Sequence, residues 1–326
     1  MLKNKKAIVV GIILAAMAAS FATIYFTGTP QSKDVTLVTH DSFVMSKDQI
    51  ADFKKKSGFT LHLVKAGDAG ALTNRLILTK GSPIADAVFG IDNTFAGVAS
   101  KNGIIDGAFV PTDFGNVCLN YDKAWFAAHR IPAPTSTEAL TQPAYKNLTV
   151  LEDPRLSSTG LAFLAATVDK FGDKYPGFWK SLKDNGVKID SGWDSAYYTD
   201  FSGSSGKGKY PIVLSYNTSP ADEVRADGKS QTAAILDSCF KQTEYGAVLK
   251  GAKNPNGAKA VIDYLLSPEF QKTFPAAMYV YPIDKNAPLP DSWRTQTMLP
   301  TKTYGDQLDF ARGRSKWLAT WADIFN

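Results

Sequence analysis

Polar side chains follow four predicted strands of this sequence, at the point where each strand ends. Such turns can present backbone N–H groups or a carboxylate to a ligand, because the first N–H groups of the following helix have no partners within it. A single turn of this kind is more often a simple helix cap, but four of them on alternating strand–helix units favour a shared binding cleft. In chain order, the turns are His40-Asp41-Ser42-Phe43, Gly90-Ile91-Asp92-Asn93, Glu152-Asp153-Pro154-Arg155 continuing through Leu156-Ser157-Ser158-Thr159-Gly160, and Ser215-Tyr216-Asn217-Thr218-Ser219-Pro220.

Catalytic motifs are absent from the sequence. The three histidines, His40, His62 and His129, belong to no His-Glu-x-x-His pattern, and neither Gly-x-Ser-x-Gly nor Cys-x-x-Cys occurs. The glycine-rich stretch at residues 203–208 lacks the Gly-Lys-Ser/Thr ending of a phosphate-binding loop. We therefore predict no catalytic residue, no metal site and no cofactor. Because a triad can be assembled from distant residues, a cell-surface hydrolase is kept as the least favoured alternative.

Size, charge and cysteine content narrow the class of protein. The chain has 326 residues, of which 44% are hydrophobic and 21% charged, and these values fit a globular protein of about two domains. The net charge is only +5, without a basic stripe beyond the first six residues, so we expect no nucleic-acid partner. Two cysteines, Cys118 and Cys239, are too few for a zinc site. They either form one disulfide after export or remain two separate buried thiols.

The N-terminus has the pattern of an export signal. Lys3, Lys5 and Lys6 precede an uncharged apolar run at residues 7–26. This run is also long enough to span a bilayer as a helix, so it fits an uncleaved anchor as well as a removed signal peptide. We predict that residues 1–33 are one or the other. The remainder then lies in the periplasm or on the outer face of the cytoplasmic membrane.

Short apolar runs alternate with helical patterns along the rest of the chain. This order predicts an α/β fold with mostly parallel sheets flanked by helices, and ligands collect at the carboxyl ends of such strands. We predict one lobe at residues 34–120, completed by 246–290, and a second lobe at 121–245. Two strands that cross between the lobes would act as a hinge. Residues 291–326 are predicted to form a C-terminal helical segment.

The predicted elements are these. Strands are expected at residues 35–39, 59–64, 87–89, 117–121, 148–151, 212–215 and 245–249. Helices are expected at residues 48–56, 71–78, 161–170, 178–183 and 256–266, with an amphipathic tail at 307–325.

Several segments resemble the thiamine-binding proteins of bacterial ABC importers, which have the two-lobed type II periplasmic-binding fold. The segments that show the resemblance include residues 85–93, Phe109-Val110-Pro111, Tyr121-Asp122-Lys123, Asp153-Pro154-Arg155 with Ser158-Thr159-Gly160, Gly192-Trp193-Asp194-Ser195-Ala196-Tyr197, Leu214-Ser215-Tyr216-Asn217-Thr218-Ser219-Pro220 and Tyr281-Pro282. The resemblance implies a monomer that binds thiamine or thiamine phosphate between its lobes. It also implies that the permease and ATPase subunits of an importer are partners.

The resemblance also implies roles for individual residues. It implies that Trp193, Tyr216 and Tyr279 form the aromatic walls of the ligand site. It implies that Asp92 and Asn93 are the polar residues that bind the ligand. A phosphate would be held at the turn formed by Ser157, Ser158, Thr159 and Gly160. The family can carry a tyrosine where this chain has His40, and an aromatic residue where it has Asp222. The full predicted ligand-binding set is His40, Asp41, Asp92, Asn93, Ser157, Ser158, Thr159, Gly160, Trp193, Tyr216, Asn217, Asp222 and Tyr279.

The chemistry of the ligand agrees with these residue types. A thiazolium ring is a permanent cation, and stacking it on Trp or Tyr contributes about 0.5–2 kcal/mol when water is excluded. Trp193 and Tyr216 could instead serve only as packing residues. A ferric-ion binder of the same fold would need clustered tyrosinates, but Tyr197 and Tyr198 are adjacent and do not face one point on a helix. A polyamine or phosphonate carrier of this fold is a further alternative.

Overall fold

The computed structural model describes residues 32–204 and 207–326. Residues Asp34–Asn326 form one compact unit, which contains all the elements named below. Apart from Ser32 and Lys33, the export signal or anchor predicted for residues 1–33 lies outside the described residues. In the described part of the chain, no helix combines the length and the apolar character needed to cross a membrane.

Within the described residues, nine strands form one sheet. They are β1 (Asp34–Thr39), β2 (Thr60–Lys65), β3 (Ala87–Asp92), β4 (Ile105–Asp122), β5 (Thr149–Glu152), β6 (Lys188–Asp190), β7 (Ile212–Tyr216), β8 (Thr232–Leu249) and β9 (Tyr281–Pro282). Their spatial order is β2-β1-β3-β8-β4-β7-β5-β6, and β9 pairs with β4. β1 is parallel to both β2 and β3, and β5 is parallel to both β6 and β7. The long strands β4 and β8 are antiparallel to each other and separate the two parallel groups.

Helices cover the sheet. They are α1 (Lys47–Ser57), α2 (Ala69–Leu78), α3 (Ala96–Lys101), α4 (Lys123–His129), α5 (Ser158–Phe171), α6 (Tyr175–Asp184), α7 (Pro255–Leu265), α8 (Pro268–Gln271), α9 (Phe274–Met278), α10 (Asp291–Gln296) and α11 (Phe310–Phe325). Short 3₁₀ turns lie at Glu138–Thr141, Pro143–Tyr145, Gly172–Lys174 and Ser219–Ala221, and a π-helical turn lies at Ser195–Asp200.

Local sequence explains where several of these elements begin and end. Ser46 and Gln49 form a reciprocal capping box at the start of α1, and Gly58, with a φ of 76°, ends it. β3, β5 and β7 are buried along their whole length, as expected of strands covered by helices on both faces. For this reason their continuous apolar runs were recognisable in the sequence.

The two central strands are much longer than predicted. β4 and β8 each have 18 residues, whereas the sequence indicated strands only at 117–121 and 245–249. Their pairing changes register between Asp106 and Val110, between Pro111 and Asp113, and between Val117 and Leu119. These shifts interrupt the alternation of buried and exposed side chains that identifies a strand in a sequence.

The two cysteines form a disulfide. Cys118 on β4 is bonded to Cys239 on β8, and no free cysteine remains. Of the two alternatives open from the sequence, the structure therefore has the bonded pair. A structural disulfide is typical of proteins that fold in an oxidising compartment.

The C-terminal helix α11 packs both on α6 and on the residue that precedes α3. The Trp321 ring of α11 meets Trp179 of α6 edge to face, with the centroids 6.2 Å apart. The guanidinium of Arg314 lies 4.7 Å from the ring of Phe95, which precedes α3. The lobe boundaries at residues 120 and 246 stay a prediction.

Candidate ligand-binding site

A cavity lies where segments from both parallel groups of strands meet. Its walls come from the turns after β1, β2 and β6, the start of α5, the ends of β7 and α9, and the middle of β8. A second cavity adjoins it and shares Ser42, Asp68 and Trp193. Together the two cavities form one cleft. The first is lined by His40, Ser42, Asp68, Ser158, Thr159, Trp193, Tyr216, Glu244, Met278 and Val280. The second adds Asp41, Gly67, Ala71, Leu156, Ser191, Gly192, Asp194 and Ser195.

Trp193 is the centre of an aromatic cluster on one side of the cleft. Its indole stacks on Tyr197 with the centroids 4.9 Å apart and the planes 12° from parallel. Tyr279 and Tyr216 lie 5.9 and 6.2 Å away. The indole Nε1 donates to the hydroxyl of Ser215 over 2.9 Å, which fixes the plane of the ring. A flat ligand ring can therefore stack or pack edge-on against a rigid surface.

Tyr198 and Tyr279 bring two phenols together at the edge of this cluster. Their hydroxyls are 3.1 Å apart, and Tyr198 is 46% exposed. Burial raises the pKa of both phenols, and the hydrogen bond between them raises that of Tyr279 further. Both side chains are therefore neutral phenols that share one hydrogen bond. Among the described residues, no group of three or more His, Cys, Asp or Glu side chains could hold a metal ion.

Three carboxyl groups lie side by side on neighbouring strands, and of these only Glu244 lines the cleft. Glu244 of β8 is paired with Asp92 of β3 on one side and with Asp113 of β4 on the other. Burial, followed by the charge of Glu244, raises the pKa of Asp113 well above its usual range. Asp113 is thus held as a neutral carboxyl beside the Glu244 carboxylate.

His40 is paired with Glu244, the one carboxyl group of these three that lines the cleft. Its Nε2 lies 3.3 Å from Oε1 of Glu244, and both side chains are almost completely buried. Burial alone lowers the pKa of His40, but Glu244, Asp68 and Asp194 outweigh it, so the net pKa is raised. Burial alone raises the pKa of Glu244, and His40 together with Asp113 lowers it below its usual value. Both shifts favour the ion pair of an imidazolium and a carboxylate.

Asp68 connects the two sides of the cleft. It follows β2 and caps α2, where its Oδ1 accepts from the N–H of Ala69 over 2.6 Å. Its Oδ2 accepts from the N–H of Trp193 over 2.9 Å. A second bridge is formed by Ser42, whose hydroxyl donates to Asp194 over 2.5 Å. These two bonds hold the aromatic cluster against the turns after β1 and β2.

The turn before α5 brings two hydroxyls to the cleft. Ser157 caps the helix by accepting from the N–H of Gly160, and the hydroxyl of Thr159 donates to the buried Glu152 over 3.0 Å. A side chain at residue 160 would come within 2.5 Å of the Glu152 carbonyl oxygen, so only glycine fits there. Ser158 and Thr159 of this turn line the first cavity.

Comparison with known protein families gives a match over residues 90–303, more than half of the chain, to the bacterial extracellular solute-binding proteins. The chain belongs to this family.

Several relatives of this solute-binding protein are known. It is 29% identical over 310 residues to the thiamine-binding periplasmic protein of Escherichia coli (strain K12), covering 88% of this chain and 92% of the relative. It is also 29% identical over 328 residues to the protein of the same name from Brucella melitensis biotype 1, covering 92% and 95% of the two chains. A solved structure of a periplasmic thiamin binding protein superposes with a TM-score of 0.79 at 27% identity, covering 92% of this chain and 98% of the other. The family resemblance and the two-lobed α/β fold expected from the sequence are confirmed.

Six of the predicted site residues lie at the cleft of this solute-binding protein. His40, Ser158, Thr159, Trp193 and Tyr216 line the first cavity, and Asp41 lines the second. Tyr279 contacts Trp193, and its neighbours Met278 and Val280 reach the cavity wall. The remaining predicted residues, Asp92, Asn93, Ser157, Gly160, Asn217 and Asp222, are outside the lining of both cavities.

Asp92 lies one layer behind the cleft. Its Oδ1 accepts from the backbone N–H groups of Thr94 and Phe95 and from the Thr94 hydroxyl, and its Oδ2 accepts from Gln242 over 2.9 Å. The amide oxygen of Gln242 in turn accepts from the hydroxyl of Tyr216 over 2.8 Å. Burial raises the pKa of Asp92 to about 6. In this arrangement, Asp92 orients a cleft aromatic residue through Gln242.

The side chains of Asn93 and Asn217 form hydrogen bonds within the fold. The side chain of Asn93 bonds the backbone of β8, donating to the carbonyl of Lys241 and accepting from the N–H of Thr243, both over 3.1 Å. Asn217 is fully buried and donates to the carbonyl of Met298 over 3.0 Å. In both cases the asparagine side chain that was expected to bind the ligand bonds backbone groups of the protein.

Asp222 lies on the surface beyond the 3₁₀ turn Ser219–Ala221. Partial desolvation and the adjacent Glu223 raise its pKa to about 7. Its carboxyl group is therefore poorly suited to supply a fixed negative charge.

The sequence prediction did not include six acidic or polar residues of the cleft, namely Ser42, Asp68, Ser191, Asp194, Ser195 and Glu244. Asp68 follows β2 and meets the strand-end rule applied to the other turns. Ser42 and Asp194 lie within motifs recognised in the sequence. Glu244 had no such signal, because it stands in the middle of a strand and reaches the cleft only through the pairing of β8 with β3 and β4.

Proposed function

We propose that this protein captures thiamine, or a closely related pyrimidine–thiazolium compound, outside the cytoplasm and delivers it to the permease of an ABC importer with its ATPase. The observation that carries the proposal is a single cleft in which the aromatic cluster around Trp193 faces the carboxylates Asp68 and Glu244. The names of the two curated relatives and of the solved structure support the same ligand.

The cleft suits both rings of such a ligand. The thiazolium is a fixed cation, so it gains from stacking on Trp193 or Tyr216, by about 0.5–2 kcal/mol, and from the nearby carboxylates. The aminopyrimidine is flat and carries hydrogen-bond donors and acceptors, which the hydroxyls of Ser42, Ser158 and Thr159 can meet. A polyamine could place its ammonium groups on the carboxylates and the aromatic faces, but it has no flat ring to stack on the aromatic cluster.

Capture requires the two lobes to part and close. The bond from Trp193 to Asp68 and that from Ser42 to Asp194 both join residues 34–120 to residues 121–245, the two predicted lobes. Breaking these two bonds opens the cleft, and a ligand that contacts both sides favours the closed form. The hinge in this proposal is formed by β4 and β8.

The setting of the protein follows from the same proposal. We infer that residues 1–33 direct export or tether the chain, that the protein acts as a monomer, and that it needs no cofactor. The disulfide between Cys118 and Cys239 fits a location outside the cytoplasm. Its role is binding and delivery rather than turnover.

The proposal is tested by identifying the natural ligand. The full chain is purified without added ligand and denatured, and the released small molecules are identified by mass spectrometry. We expect thiamine or a pyrimidine–thiazolium relative, and calorimetry of the refolded protein should give a dissociation constant for thiamine that is micromolar or tighter. Release of a polyamine, or an iron-loaded red protein that does not bind thiamine, would contradict the proposal.

A further inference from the structure

His40 is the one basic residue in the lining of the two cavities, among the residues that the structure describes. It is almost completely buried, and its imidazole lies directly against the backbone of Gly90, where a Cβ atom would come within 2.0 Å of the imidazole Cδ2. The ring of Phe89 packs beside it, with the ring centroids 5.5 Å apart. The imidazole is therefore fixed in the wall of the first cavity, next to the space that a ligand would occupy.

Carboxyl groups from three separate segments face this imidazole. Glu244 of β8 is the nearest, with its Oε1 3.3 Å from the imidazole Nε2. Asp68 follows β2 and Asp194 follows β6, and both add their negative charge. Burial by itself lowers the pKa of His40, but Glu244, Asp68 and Asp194 together raise it by more. The carboxyl groups of the cleft therefore already attract one positive charge, that of the imidazolium.

The other titratable groups of this wall carry no positive charge. Asp92 of β3 and Asp113 of β4 flank Glu244, and burial raises the pKa of both carboxyl groups. Burial also raises the pKa of the Tyr216 phenol, at the end of β7, well above its usual range. The start of α5 and the end of α9 contribute only uncharged residues to the lining of the first cavity. Within the described lining, His40 is therefore the only group that can give up a positive charge.

A cationic ligand and the imidazole proton compete for Glu244. A thiazolium ring in the first cavity has both His40 and Glu244 as neighbours, since both residues line it. Two positive charges repel each other strongly where protein rather than water surrounds them, and a carboxylate that is already paired attracts a second cation less. Loss of the imidazole proton removes the repulsion and leaves Glu244 free to face the ligand.

We propose that capture of the cationic ligand releases the proton of His40, so that the cleft exchanges one cation for another beside Glu244. The inference rests on the proposed function and adds a pH dependence to it. The imidazolium gives its proton to the solvent and the thiazolium takes its place, so the net charge of the occupied cleft is unchanged. Because one proton leaves, the affinity for thiamine rises with pH, by about tenfold at most for each pH unit, and levels off above the pKa of His40 in the free protein.

The affinity of the wild-type protein for thiamine is measured by calorimetry between pH 6.5 and pH 8.5 at one salt concentration. We expect binding to be at least about fivefold tighter at pH 8.5. Titrations at pH 6.5 in two buffers of different ionisation enthalpy should show the release of a fraction of one proton for each thiamine bound. A constant affinity without proton release, or an uptake of protons, would overturn the inference and leave the proposed function intact. If thiamine does not bind at any pH, the proposed function itself fails.

His40→Gln tests the assignment of the proton to one residue. The carboxamide keeps a donor that can face Glu244 but carries no titratable charge. Its affinity should change by less than about twofold over the same pH range, and its proton release should disappear. His62→Gln is the matched control, because His62 is exposed, pairs with Asp34 and lies outside both linings, so the variant should keep the wild-type pH dependence. A pH dependence that persists in His40→Gln would assign the proton to the carboxyl groups and overturn the inference.

A measurement on the wild-type protein keeps the test decisive if His40→Gln does not fold. The chain has three histidines, and the ring signals of His62 and His129 are assigned in proton NMR spectra by their loss in His62→Gln and His129→Gln. The remaining signal reports His40, and its titration midpoint in the free protein should lie above about pH 6.5. Saturating thiamine should lower that midpoint by about one pH unit or more. A midpoint that thiamine leaves unchanged or raises would overturn the inference.

Discussion

Asp68 accepts a hydrogen bond from the backbone N–H of Trp193 over 2.9 Å, although 125 positions of sequence separate the two residues. The bond joins the end of β2 to the turn that carries the central indole of the aromatic cluster. One carboxyl group thus both lines the cleft and holds its aromatic wall in place. This relationship links charge recognition to closure, since a ligand that disturbs Asp68 also disturbs the position of Trp193.

Replacing Trp193 or Tyr216 with Ala should weaken thiamine binding at least tenfold, which corresponds to about 1.4 kcal/mol. The reason is the loss of a stacking surface for a cationic ring. Calorimetric titration of each variant measures the effect. Trp125→Ala is the matched control, because Trp125 lies on α4 and stacks on His129, away from both cavities. If both cleft variants bind thiamine as the wild-type protein does, the aromatic cluster is not the binding surface.

Tyr216→Phe should separate stability from binding. The change removes only the hydroxyl that donates to Gln242, so it leaves a buried amide oxygen without its donor. We expect the free energy of unfolding to fall by about 1–3 kcal/mol, measured by urea denaturation. Because the ring is retained, thiamine affinity should change by less than threefold. A loss of affinity as large as that of Tyr216→Ala would mean that the hydroxyl itself contacts the ligand.

The stability contributed by His40 should depend on pH with a definite sign. Its pKa in the folded protein is raised above the ordinary value of 6.5, because Glu244, Asp68 and Asp194 outweigh burial. The folded state therefore holds the proton more tightly than the unfolded chain. The stabilisation is fully present below about pH 6.5 and is lost as the pH rises through the folded-state pKa, at about 1.4 kcal/mol for each unit by which the pKa is raised.

His40→Gln measures this contribution. Denaturation at pH 6 and at pH 9 should show that the variant destabilises the protein more at pH 6 than at pH 9. His62→Gln is the control, since the exposed pair of His62 with Asp34 should contribute at most about 1 kcal/mol at either pH. A destabilisation by His40→Gln that is the same at both pH values would show that the imidazolium charge does not stabilise the fold.

Removal of the disulfide should lower stability without abolishing the site. Cys118 and Cys239 join the two long strands across a separation of 121 positions, and loss of a native disulfide typically costs about 2–5 kcal/mol. The double variant Cys118→Ala/Cys239→Ala should therefore unfold at a lower urea concentration than the oxidised wild-type protein. Reductant should destabilise the wild-type protein and leave the double variant unchanged. Equal midpoints for the oxidised wild-type protein and the double variant would show that the bond does not stabilise the fold.

Much of the fold was predictable because its determinants are local. The buried strands β3, β5 and β7 are continuous apolar runs, and α1 has its capping residues within a few positions. The lengths of β4 and β8 were not predictable, because their outer halves owe their strand conformation to pairing partners more than 100 positions away rather than to their own alternation.

The residues of the site were also only partly predictable from the sequence. Asp41 and Tyr216 reach the cleft from recognisable strand ends, and Trp193 was found only through the family resemblance. Asp92 and Asn217 have the same strand-end pattern but are turned into the fold.

The sequence alone determined the alternation of strands and helices, the polar turns at strand ends and the family resemblance, since each depends on residues close together along the chain. Only the tertiary structure decided that Glu244 lies between Asp92 and Asp113, that Cys118 meets Cys239, and that Asp68 meets Trp193. These neighbours are brought together by strand register and by the packing of distant segments. The charge of the cleft depends on those long-range contacts.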